Sequence, residues 1–304
     1  MLFLIRAFSL LPLSVLYFLA DYVIYPLVRY VARYRLKLVR KNIRLSFPEK
    51  SEEEQNAIID AFYHHFADIL VEIFYGYRVS DEEMRERVVF ENMEVLEDLA
   101  RQKHGVIAYL GHMCNWEWIA DVGKQFADKS IVEYNVYRKQ KNQKSDQAML
   151  LLRSKRGGEC VEKNMLLRKL VQLRYADHPF VIGLIADQKP SPRNAHTWTT
   201  FLHQDTSFLD GGEVLARKFD MGVVYANITS PKRGYYRIHF ELITDDASSM
   251  SEDAITLAYA RHLEANIHQQ PARWLWTHNR WKRTREGYEK RMRQREEKLR
   301  NMGQ

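Results

Sequence analysis

Apolar residues along the chain fall into two patterns. In one they run nearly unbroken for six or seven positions, Val106 to Gly111 and Phe180 to Ala186, and Ile131 to Tyr137 is strand-like although Glu133 and Asn135 interrupt it. Runs of that length suit strands buried on both faces of a sheet. In the other they recur at helical spacing, as in Ile58, Ile59, Phe62, Phe66, Ile69, Leu70 and Ile73 within Ser51 to Tyr77. There Ser51 and Glu54 make a capping box at the start. Helices are also expected over Met93 to Gln102, Trp116 to Phe126, Gln147 to Lys155, Asn164 to Tyr175, Val214 to Phe219 and Ser251 to Gln269, with Ser251 as an N-cap. Val88 to Phe90 reads as a short strand. Gly222 to Thr229 and Tyr235 to Ile243 flank Ser230-Pro231-Lys232-Arg233-Gly234 and read as a hairpin. Strands alternating with helices predict an α/β fold, a mostly parallel central sheet flanked by helices.

The amino end departs from both patterns. Ala7 to Val28 is almost wholly apolar, and as a helix it would be about 33 Å long, close to the thickness of a bilayer's hydrocarbon core. Asp21 is the exception and lies towards one end. A membrane-anchoring helix is expected, with crossing the bilayer slightly favoured over lying at its surface. Arg29, Arg33, Lys37 and Arg40 follow at once. They are expected to contact lipid headgroups and to keep this side of the membrane cytoplasmic. The chain then divides into 1–45, anchor and basic juxtamembrane helix; 46–284, the α/β domain; and 285–304, a charged tail.

Composition narrows the class. With 46% hydrophobic and 28% charged residues the chain is an ordinary folding sequence, and a net charge of +7 favours anionic partners. Two cysteines, Cys114 and Cys160, exclude a disulfide framework and a four-cysteine metal site, and fit a reducing compartment. His64 and His65 lack a second ligand pair at metal spacing and read as surface or packing residues. Neither a Walker pattern nor a dinucleotide fingerprint is present, so no cofactor or metal is implied.

The candidate chemistry sits in His112-Met113-Cys114-Asn115-Trp116-Glu117, between a strand and a helix. Five residues apart on one helix, His112 and Glu117 would point about 140° away from each other. If His112 ends the strand and Asn115 caps the helix, the chain can double back and bring Glu117 to the imidazole. Such a pair could take a proton from a hydroxyl. By itself the spacing is common. Its weight comes from the neighbours: Arg138 and the pair Asp187-Gln188 also end strands, and functional residues gather at the carboxyl edge of parallel sheets. Cys114 could in principle carry an acyl group, but a buried cysteine is more often packing.

Near the end, Pro271 to Arg283 interleaves aromatic and basic residues, with Trp274, Arg280 and Trp281 suited to a membrane surface. The same mixture can bind nucleic acid, but the apolar anchor argues for lipid. Taken with Gly111-His112 through Glu117, Tyr137-Arg138, Asp187-Gln188 and the anchor, this run (Trp-Leu-Trp-x-His-x-Arg-Trp-Lys-Arg) resembles the lipid A biosynthesis acyltransferases, the lauroyl and myristoyl transferases within the lysophospholipid acyltransferase-like group.

The resemblance implies transfer of a fatty acyl chain from an acyl carrier protein thioester to a hydroxyl of a lipid A precursor, at the cytoplasmic face of an inner membrane. It makes His112 the base and Glu117 its partner, with Arg138, Asp187, Gln188 and Asn115 as substrate-binding residues. No cofactor, metal or nucleic acid takes part. Two readings remain beside it: the same chemistry on a glycerophospholipid or other glycolipid, and a non-catalytic lipid- or RNA-binding protein.

Overall fold

A computed structural model describes residues 9–302 except Lys141, Pro192 and Arg193. Ala7 and Phe8 of the apolar stretch therefore lie outside the described residues. In chain order the elements are α1 (Leu13–Val31), α2 (Leu36–Ser46), α3 (Glu52–Tyr75), α4 (Asp81–Arg87), β1 (Val88–Glu91), α5 (Met93–Lys103) and β2 (Gly105–Leu110). Next come α6 (Val122–Gln125), β3 (Val132–Tyr137), α7 (Gln143–Lys155), β4 (Glu159–Glu162), α8 (Leu166–Leu173) and β5 (Phe180–Ile185). The last are β6 (Thr197–Phe201), β7 (Gln204–Phe208), α9 (Gly211–Lys218), β8 (Gly222–Lys232), β9 (Tyr235–Thr244), α10 (Ala254–Gln269) and α11 (Arg285–Met302).

Seven strands form one sheet in the order β1-β9-β8-β2-β5-β3-β4. Every neighbouring pair is parallel except the hairpin β8-β9. This is the mostly parallel α/β sheet expected from the sequence. β2 lies in its middle, and all six of its residues are buried, as a strand covered on both faces requires. β9 instead buries Tyr236, Ile238 and Phe240 while Arg237 and His239 face outward, the alternation of a strand with one solvated face. The antiparallel pair β6-β7 stands apart from the main sheet.

The capping box at Ser51 forms as read: Glu54 N–H donates to Ser51 Oγ at 3.2 Å, and Ser51 N–H to the Glu54 carboxylate at 2.8 Å. Three local expectations need correction. The segment after His112 is a 3-10 turn over Trp118–Asp121 followed by the single turn α6, since Phe126 leaves helical geometry at ψ 128°. α7 begins earlier than expected because Asn142 caps it, its side chain accepting from Ser145 N–H at 3.1 Å. α10 begins at Ala254 after Asp253, which takes the left-handed conformation, so Ser251 is not its cap.

Two strands distant in the chain meet at the centre of the sheet. β5 inserts between β2 and β3, in register from Gly105 opposite Phe180 to Leu110 opposite Ile185. The residues just beyond β2 and β5 are therefore neighbours at the carboxyl edge.

Candidate active site

His112 lies just past β2, and Asp187 just past β5. The His112 ring Nδ1 is 2.5 Å from Asp187 Oδ1, and the His112 backbone N–H donates to Asp187 Oδ2 at 2.9 Å. Trp274 adds its indole N–H to the same oxygen at 2.7 Å. Asp187 is only 3% exposed. Burial by itself would raise its pKa, but the adjacent His112 and these hydrogen bonds overcome it and hold the carboxyl down at about 2. A carboxylate fixed on Nδ1 sets the proton on that nitrogen and leaves Nε2 as the accepting one. The Gln188 amide nitrogen stands 3.3 Å from Nε2, in the place a reacting hydroxyl would take.

Gly111 stands against α10: a methyl group there would sit 2.4 Å from Leu263 Cδ1, so that side chain would have to shift, while Asp187 Oδ2 at 3.6 Å would be in ordinary contact.

The pairing of His112 with Glu117 is not the one the structure makes. The Glu117 carboxylate receives two hydrogen bonds from Arg153 of α7, at 2.8 and 2.7 Å, and one from the Trp116 indole at 3.1 Å. The physical reason is local. Cys114 takes a left-handed backbone conformation, φ 51°, and the tight turn from Asn115 to Trp118, closed by the Trp118 N–H donating to the Asn115 carbonyl at 3.1 Å, carries Glu117 under α7 instead of back to the imidazole. Burial would lower the Arg153 pKa, but the bonds to Glu117 prevail and raise it, so this guanidinium is a fixed cation.

Asn115 also differs from its expected role. It is buried, and its amide donates to Glu72 of α3 at 2.7 Å, so it faces the interior and not a substrate. Glu72 takes two further bonds, from Tyr17 and Tyr236 hydroxyls at 2.6 Å each. The turn between His112 and Glu117 is thus tied to α1, α3 and β9 through one buried carboxylate. Cys114 fits its reading as packing: its thiol is fully buried and burial pushes its pKa up to about 12, which removes the thiolate a nucleophile needs.

The terminal run serves the site from inside the protein. Trp274 and Arg280 are buried, so neither can contact a membrane. Arg280 donates to the Ser207 carbonyl and lies 4.7 Å from the Phe208 ring centre. Trp281 is half-buried, its indole bonded to Thr206 at 2.7 Å. Backbone bonds from Cys114 N–H to Arg273 and from Leu275 N–H to His112, 2.8 and 3.1 Å, stitch the run to the site turn. His278 accepts from Lys189 N–H at 3.2 Å, a role burial favours by lowering its pKa to about 4. α2 braces the run in turn, with Asn42 donating to the carbonyls of Trp276 and His278.

His112 opens into a cleft of 510 Å³. Leu166, Leu167, Leu184, Ile185, Leu209 and Leu215 give it apolar walls, and Arg138, Arg153, Lys163 and Lys189 add cations. A smaller cavity of 60 Å³ lies beside it, sharing Val136, Arg153 and Ile185, and reaches Leu96, Ile119, Phe240 and the buried Glu133. Among the described residues no group of three or more His, Cys, Asp or Glu could hold a metal. Of the expected headgroup contacts, Arg29 is buried and bonded to Asp60 at 2.9 Å, whereas Arg33, Lys37 and Arg40 are exposed.

Sequence reasoning placed His112, Arg138 and Asp187-Gln188 on one edge, as found. It missed Arg153, which shows no signal in an ordinary helical stretch, and it gave Trp274 to the membrane. Trp274→Phe keeps an aromatic ring, though a smaller one, and removes the indole donor. We expect kcat to fall roughly tenfold with an unchanged fold, the scale of one lost hydrogen bond to a charged group; steady-state kinetics beside near-UV circular dichroism checks this.

A model of the bacterial lipid A biosynthesis acyltransferase family matches residues 1–283. No curated protein matches the chain.

Proposed function

The chain belongs to the bacterial lipid A biosynthesis acyltransferases, and from that membership we propose that it transfers a fatty acyl chain from an acyl carrier protein thioester to a hydroxyl of a lipid A precursor, late in that lipid's assembly. The observation that carries the reading is the His112 ring: Asp187 holds Nδ1, and Nε2 faces a cleft that is both greasy and cationic. Such a cleft suits a substrate with acyl chains and phosphates.

In the proposed reaction the acceptor hydroxyl displaces the Gln188 amide and gives its proton to His112 Nε2 as its oxygen attacks the thioester carbonyl. The C–S bond then breaks, and the departing thiolate takes the proton back from the imidazolium. Asp187 holds the ring in one tautomer and offsets its positive charge. Arg153, anchored by Glu117, and Arg138 at the cleft rim are placed to hold phosphate or the developing oxyanion. Glu117 acts in this scheme through Arg153. The protein works at the cytoplasmic face of the inner membrane, where exposed Arg33, Lys37 and Arg40 meet headgroups.

The test supplies purified protein with labelled acyl carrier protein and either an under-acylated lipid A precursor or a lysophospholipid. The expected product is the precursor heavier by one acyl group, and none from His112→Ala. Acylation of the lysophospholipid alone would move the proposal to glycerophospholipids. Lipid retention without turnover would make the protein a binding module.

A further inference from the structure

The apolar helix α1 is long and apolar enough to cross a membrane, yet it is packed lengthwise on the protein. Leu13, Leu16, Ala20, Tyr25 and Arg29 are buried along one side, while Val15, Phe18, Tyr22, Val23, Leu27 and Tyr30 are exposed along the other. In a regular α-helix Tyr25 would turn about 140° away from Ala20. The wider π-helical turn over Ala20–Ile24 brings it back to the buried side. The backbone is adjusted so that one side stays against the domain from end to end.

The polar groups of α1 are spent on that contact. Tyr17 donates to Glu72 at 2.6 Å, and Asp21 receives two bonds from Arg233, at 2.8 and 2.7 Å. Arg233 also holds Asp68 at 3.0 Å, and Arg29 holds Asp60 at 2.9 Å. If α1 crossed a bilayer in this packing, α3 and the β8-β9 turn would enter the hydrocarbon with it, carrying Asp60, Asp68, Glu72 and Arg233. Ionisable groups at that depth are costly. The exposed side is apolar, and it leads directly into exposed Arg33, Lys37, Arg40, Lys41 and Arg44. Apolar side chains beside cations complement an anionic membrane surface.

We infer that α1 lies in the plane of the membrane interface, with its Phe18, Tyr22, Val23 and Leu27 side in the acyl boundary and the α2 cations on anionic headgroups, without crossing the bilayer. The inference rests on the proposed membrane-bound function and fixes its geometry. It also directs Tyr17, and through it Glu72, towards the interior and the site turn.

Nitroxide labels at V15C, Y22C and Y30C test it, each in a full-length C160S chain; Cys114 is buried. Depth is read by relaxation with oxygen and a water-soluble nickel reagent, on phosphatidylcholine vesicles with and without phosphatidylglycerol. An in-plane helix puts the three labels within about 5 Å of one shallow depth. It also binds the anionic vesicles more tightly, and the double variant F18E/V23E loses at least about tenfold of that binding. Labels that progress through the midplane over roughly 22 Å would overturn the in-plane geometry while leaving membrane binding intact. If the chain does not bind vesicles, or buries these labels against a second copy in solution, both the geometry and the membrane reading fail.

Discussion

Asp187→Asn is expected to lower kcat/KM roughly a thousandfold, close to the loss from His112→Ala, because an amide cannot hold the imidazole in one tautomer or offset its charge. Glu117→Gln should cost far less, about ten- to a hundredfold, because it loosens Arg153 and leaves the His112–Asp187 contact in place. Purified variants with intact near-UV circular dichroism, assayed at saturating carrier-protein substrate with the acceptor varied below its KM, give the ranking. A larger loss in Glu117→Gln than in Asp187→Asn would make Glu117 the partner in the reacting state. The pH dependence has a definite sign. Asp187 is held near 2, below its ordinary 3.8. Its ionised form therefore stabilises the fold at every pH above the ordinary value, and that contribution disappears only as pH falls towards 2. The stability difference between wild type and Asp187→Asn should narrow as pH falls from about 4 towards 2.

A second large effect is expected at Glu133, where the sign reverses. Glu133 in β3 is buried, receives hydrogen bonds from Asn135 at 2.8 Å and Gly123 N–H at 3.1 Å, and among the described residues it makes no ion pair. Burial outweighs these bonds and raises its carboxyl from 4.5 to about 8. A folded-state pKa above the unfolded one means that the folded protein keeps a proton the unfolded chain releases. Stability from this group is complete below pH 4.5 and falls as pH rises to about 8, by on the order of 5 kcal/mol. Glu133→Gln removes the titration. Thermal melts from pH 5 to 9 should slope downward in the wild type and flatten in the variant, with the variant the more stable at the alkaline end. Parallel slopes would show that Glu133 is ionised in the fold at neutral pH.

The central strands were legible because a strand covered on both faces has little choice of residues: β2, buried throughout, and β5 are the apolar runs themselves, whereas β3 showed through its β-branched and aromatic residues in spite of Glu133 and Asn135. The sheet edge was legible too, since polar residues directly after such runs stand together whatever the strand order. The partner of His112 was not legible. It follows from β5 inserting beside β2, a pairing between segments 75 residues apart, and spacing within a hexapeptide carries no trace of it. The aromatic and basic run from Pro271 failed for another reason. A tryptophan whose indole needs a hydrogen-bond partner suits a membrane interface and a buried carboxylate equally well, and only the position of Asp187 decides between them. Arg280 misled in the same way, because a guanidinium packed on Phe208 looks in sequence like one reaching for phosphate.

The seam between the terminal run and the turn after β2 also bears on the order in which the molecule can be made. His112 emerges from the ribosome early. Its carboxylate partner comes 75 residues later, and the tryptophan that fixes that carboxylate another 87 after that. The hydrogen bonds that hold the turn, from Cys114 to Arg273 and from Leu275 to His112, can form only once residues 273 to 275 have been made. Contacts this distant along the chain form late in folding. A growing chain can therefore build most of its sheet while the ring of His112 is still unfixed, until the Pro271 to Arg283 run closes over it.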